Sequence, residues 1–119
     1  MLIDADQNGV AVLKRVVRRL ASGTGAIDIT AERDVVGYGA IVLLAELSET
    51  SGRVTEPNTG LLTWSGSPAY WSEVEAKIGA LQNANAGHQY LEESGSVQVV
   101  ISVGEYDAEW WKLHGESVT

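Results

Sequence analysis

The hydrophobic period changes partway through residues 9 to 32, and that change constrains the fold more than any other feature of the chain. Val10, Leu13, Val16, Val17 and Leu20 recur at steps of three and four, the apolar stripe of an amphipathic helix. Ile27, Ile29 and Ala31 then alternate with Asp28, Thr30 and Glu32, the pattern of a strand wetted on one side. Asp4, Asp6 and Asn8 offer caps and negative charge at the start of the helix. Lys14, Arg15, Arg18 and Arg19 load its second half, where cations suit the macrodipole, and Ser22-Gly23 ends it. A chain carrying both periods has to pack a helical layer on a sheet.

The rest of the sequence extends this pattern. Arg33-Asp34 turns into a segment, 35 to 47, whose run Ala40-Ile41-Val42-Leu43-Leu44-Ala45 is apolar on every side. Periodicity does not separate a buried strand from a buried helix there; Gly37, Gly39 and the pairs Val35-Val36 and Ile41-Val42 favour a central strand. Ser48 to Asn58, with Ser51-Gly52 and Pro57-Asn58, reads as a long hairpin loop, and Leu61, Leu62 and Trp64 as the returning strand. Ser65-Gly66-Ser67-Pro68 opens a second helix with Trp71, Val74, Ile78 and Leu81 on one stripe. His88 to Glu92 and Val97 to Val103 form a hairpin around Glu93-Ser94-Gly95-Ser96. The expectation is an α+β fold over residues 1 to 119 as a single domain. It has an antiparallel or mixed sheet of about five strands with two helices on one face, in the order α-β-β-β-α-β-β.

Composition removes whole classes of chemistry. The chain is 119 residues long and contains no cysteine, which excludes disulfide scaffolds, zinc ribbons and thiol nucleophiles. Sixteen Asp and Glu against eight Lys and Arg give a net charge of −8, which opposes binding to nucleic acid or an anionic membrane and favours a basic partner. No basic start followed by an apolar run marks a secretory signal, and no apolar stretch approaches the ~20 residues that span a bilayer. A cytoplasmic location is the expectation.

Side chains with chemical potential are sparse. His88, Tyr90 and Glu92 would share one face of a regular strand, where a histidine and a carboxylate could hold a metal or pair as base and orienter. No further ligands stand at a recognisable spacing, so neither a metal nor another cofactor is expected. No serine lies in Gly-x-Ser-x-Gly, and Ser65, at a strand-to-helix junction, reads as part of the helix start. The cations of the first helix could touch phosphates; compensation of an acidic chain is the simpler account.

The segment Gly104-Glu105-Tyr106-Asp107-Ala108-Glu109-Trp110-Trp111 is the most suggestive. Carboxylates steer towards a cationic cleft, and Trp and Tyr are favoured interface anchors, so Glu105, Tyr106, Asp107, Glu109, Trp110 and Trp111 are the candidate partner-binding residues. The alternative is a C-terminal helical turn whose tryptophan seals the core edge. Charge agrees with a binding surface in the second half. Residues 1 to 60 hold six basic and eight acidic residues, whereas 61 to 119 hold two and eight, together with seven of the eight aromatic rings.

Gly60-Leu61-Leu62, Trp64, Gly66-Ser67, Trp71 and Ile78, Gly87-His88, Tyr90-Leu91, Val97 to Ser102 and Gly104-Glu105-Tyr106 carry a family likeness. This stretch resembles the small acidic α+β immunity proteins that accompany bacterial polymorphic or contact-dependent toxins. The resemblance implies a cytoplasmic, non-enzymatic inhibitor that binds a cognate toxin domain, often a basic nuclease, at or beside its active site. Two alternatives stand beside it. One is a small enzyme or ligand-binding domain with a polar pocket of His88, Tyr90 and Ser65; the other is a homo-oligomeric subunit.

Overall fold

A computed structural model describes residues 1–23, 25–32, 35–49, 52–82, 87–92 and 97–103. Its elements are β1 (Leu2–Ala5), α1 (Gln7–Ala21), β2 (Ala26–Asp28), a single 3-10 turn (Ile29–Ala31), β3 (Val35–Tyr38), β4 (Val42–Leu47), β5 (Arg53–Asn58), β6 (Leu61–Gly66), α2 (Pro68–Gly79), β7 (Gly87–Glu92) and β8 (Val99–Val103). The class is α+β, with the two expected helices, but eight strands form two mixed sheets in place of one sheet of about five.

Both helices form where their stripes put them. Gly9, Val10, Leu13, Val16, Val17 and Leu20 are the buried residues of α1, and Asp6 caps it by accepting the Gly9 amide at 2.8 Å. Trp71, Val74 and Ile78 are buried on α2, whose cap is Ser67: its hydroxyl oxygen accepts the Tyr70 amide at 3.2 Å, with Pro68 next in the chain. Ser65 takes no part in that cap and belongs to β6.

The departures from expectation have local causes. Met1 to Asp6 holds a strand ahead of the helix cap, because Leu2, Ile3 and Asp4 pair with β3 on one side and β8 on the other. The strand from Ala26 stops at Asp28, whose Oδ1 accepts both the amide and the hydroxyl of Thr30 and bends the chain into the 3-10 turn. Residues 35 to 47 are two strands in different sheets, separated by a turn with Gly39 at φ +96°. Half of the expected hairpin loop is β5, an edge strand whose register slips between Thr55 and Asn58, so Pro57 falls where a missing amide breaks no ladder.

The two sheets share one plan. The first runs β3-β1-β8-β7 and the second β2-β4-β6-β5; in each, the two central strands are parallel and the outer strands antiparallel to them. Parallel strands favour burial. All five residues of β8 are buried, so Leu2, Val100 and Ser102 are as inaccessible as Ile3 and Ile101 on the opposite face. A single core joins Ile3, Leu43, Trp64 and Ile101 of both sheets to Leu13 of α1 and Trp71 of α2. The helices pack on each other, with Arg18 Nε donating to Glu75 Oε2 at 2.8 Å and Lys14 Nζ to Gln82 Oε1 at 3.1 Å.

Met1 is completely buried, and its amino group donates to the Gln98 carbonyl at 2.6 Å. Burial lowers this amine from 8.0 to about 6. The fold therefore favours the neutral amine, and the unfolded chain binds more protons across the window between those values. Stability consequently rises with pH from about 6 to 8. The urea midpoint is expected to climb over this window, and the climb is expected to vanish in the Nα-acetylated chain. A climb of equal size in both chains would contradict this assignment.

Candidate functional site

The densest polar arrangement links three elements through two aromatic side chains. Trp64 on β6 donates its indole Nε1–H to the Tyr70 hydroxyl oxygen at 2.7 Å, and that hydroxyl donates to Glu92 Oε1 of β7, also at 2.7 Å. Trp71 packs edge-on against both neighbours, with ring centroids 4.7 Å from Trp64 and 5.3 Å from Tyr70, and donates to the Glu46 carbonyl at 3.1 Å. Gly52 and Gly66 border the Tyr70 ring so closely that a Cβ at either position would collide with it. Burial, then the bond to Glu92, raises the Tyr70 phenol above its ordinary range, so it remains a protonated donor. Such a hydroxyl is a structural link and a poor base.

Glu92 reaches this link because β7 is bulged. Its register shifts between Tyr90, opposite Val100, and Glu92, opposite Val99. Residues directly opposite one another share a face, and Val99 and Val100 point to opposite faces. Glu92 therefore leaves the face of His88 and Tyr90, which corrects the expectation that all three share it. It is 6% exposed.

On the other face of the first sheet, Asp4, Ser102 and His88 form a row across β1, β8 and β7. The adjacent row contains Tyr38, Leu2, Val100 and Tyr90, and the His88 and Tyr90 rings meet edge-on at 5.8 Å. Ser102 has no accessible surface, and among the described residues its hydroxyl has no hydrogen-bond partner. A hydroxyl closed off from solvent does not act as a nucleophile in this conformation. Ser65 is not in this group: it stands between Glu46 and Arg53 on the second sheet, on the face opposite Trp64. The proposed pocket of His88, Tyr90 and Ser65 is thus divided between two sheets.

Among the described residues no cluster of three or more His, Asp or Glu could hold a metal, and no helix is long and apolar enough to cross a membrane. Glu105, Tyr106, Asp107, Glu109, Trp110 and Trp111 lie outside the described residues. What precedes them is fixed: β8, a central strand, ends at Val103 opposite Gly87. Sequence reasoning missed the Trp64–Tyr70–Glu92 link because no pattern announces the bulge; adjacent Leu91 and Glu92, both buried, are its trace. No protein-family model, curated protein or solved structure matches the chain.

Tyr70→Phe deprives Glu92 and the Trp64 indole of their shared hydroxyl while preserving the ring. It is expected to lower the unfolding free energy by about 2 to 4 kcal/mol in urea titration. A loss below about 0.5 kcal/mol would show that the link does not hold the sheets.

Proposed function

We propose that the chain is a non-enzymatic, cytoplasmic inhibitor of the immunity type, which neutralises a basic bacterial toxin domain by covering it with an acidic surface bearing Trp and Tyr. The observation that carries this reading is the concentration of excess charge and rings after residue 60: eight acidic against two basic residues, with seven of the eight aromatics. Electrostatic attraction of that kind selects a cationic partner and speeds encounter.

The fold already occupies some of those groups. Glu92 is engaged with Tyr70 and Glu75 with Arg18, while Trp64, Tyr70 and Trp71 are occupied in the core. Of the other carboxylates and rings in the second half, Glu73 and Tyr90 are exposed, and the proposed contact residues Glu105, Tyr106, Asp107, Glu109, Trp110 and Trp111 lie outside the described residues. Two of the four cations of α1 make contacts within the chain, Arg18 with Glu75 of α2 and Lys14 with Gln82 just beyond it.

The test is co-expression with a toxin domain encoded immediately upstream, with growth as one readout and binding of the purified pair as the other. Protection and a one-to-one complex are expected. Raising NaCl from about 0.1 to about 1 M, which shortens the Debye length from ~10 to ~3 Å, should slow association at least about tenfold. Changing Glu105, Asp107 and Glu109 together to lysine should act mainly on the association rate. Absence of both protection and binding removes the proposal; unchanged kinetics in the triple variant moves the interface elsewhere.

A further inference from the structure

Ile41 is 80% exposed, against 49% for Val36 and 38% for Tyr90, the other large apolar side chains on the described surface. A single exposed aliphatic residue is ordinary. What distinguishes this one is how firmly it is presented. Ile41 stands where the chain crosses from β3 to β4, and its amide and that of Val42 both donate to the Gly60 carbonyl, at 2.8 and 3.0 Å. The Gly60 amide in turn donates to Glu56 Oε2 at 3.1 Å. Gly60 adopts φ +81°, and its missing side chain makes room: a Cβ there would lie 3.0 Å from Ile41 Cδ1.

All three bonds use the main chain at Ile41, Val42 and Gly60, so the isoleucine side chain supplies none of this geometry. A β-branched side chain on a fixed backbone has little rotamer freedom left to lose on binding. Glu56 and Ile41 both meet Gly60, which puts a carboxylate beside the apolar knob.

On the inhibitor reading, we propose that the Ile41 tip is a docking anchor. Its side chain enters an apolar socket on the cationic toxin domain, and Glu56 faces a lysine or arginine at the rim of that socket. The net charge of −8 favours a cationic protein over a second copy of this chain as the occupant. The tip lies three residues beyond Tyr38, which pairs with Leu2 beside Val100, whereas β8 ends at Val103 towards the opposite end of the first sheet. The Ile41 tip and the Val103 end of β8 therefore lie towards opposite ends of that sheet.

The experiment measures affinity and melting temperature of full-length Ile41→Ser and Glu56→Gln with the upstream-encoded toxin domain. Ile41→Ser should weaken binding about ten- to a hundredfold, mainly through faster dissociation, with an unchanged melting temperature. Glu56→Gln keeps an acceptor for Gly60 and should slow association several-fold. A complex formed equally well by Ile41→Ser overturns the anchor and leaves the inhibitor reading standing, whereas a chain that binds no toxin removes both. A lowered melting temperature assigns Ile41 to the fold and overturns the anchor. Self-association that Ile41→Ser abolishes in sedimentation makes a second copy the occupant and overturns it too.

Discussion

One hydrogen-bonded chain, from the Trp64 indole through the Tyr70 hydroxyl to Glu92, joins the second sheet to the first by way of α2. The rest of the architecture depends on it. In a sequence without phenylalanine the rings that enter the largely aliphatic core carry polar handles, and each handle taken from water needs a partner. Here the handles are satisfied by one another, by a carboxylate that the β7 bulge turns inward, and by the Glu46 carbonyl under Trp71. Gly52 and Gly66 belong to the same device, since a side chain at either would displace the Tyr70 ring.

The legible parts of the fold are those set by local pattern. The stripe from Val10 to Leu20 and the Ser67-Pro68 start are readable because a helix writes its buried face and its cap into neighbouring residues. The strand beginning at Leu2 is not, because four residues carry no period and their partners lie near residues 36 and 100. Alternation through Ile27, Ile29 and Ala31 misleads, since one Asp28 carboxylate outweighs the pattern and turns the chain. Pro57 misleads in the other direction, an edge strand tolerating what a central one would not. Among candidate site residues, His88 and Tyr90 do share a face, while Ser65 and Glu92 are carried away from them, by sheet membership and by a bulge. Neither cause leaves a local mark that single-residue spacing can detect.

This division bears on function. The linked polar side chains Tyr70, Glu92 and Trp64 are committed to holding sheets together, and Ser102 is sealed in a strand buried on both faces. What the described surface offers outward is a surplus of negative charge together with the exposed Val36, Ile41 and Tyr90. The proposed inhibitor role draws on these features, since charge and shape are how one protein selects another.

The claim that one aromatic and carboxyl link makes the two sheets a single cooperative unit is tested most directly by native-state hydrogen exchange. The slowest amides of β8 and β1 and those of β4 and β6 are predicted to open with the same free energy and the same denaturant dependence. Opening of the first sheet at a distinctly lower free energy, with the second still protected, would contradict it.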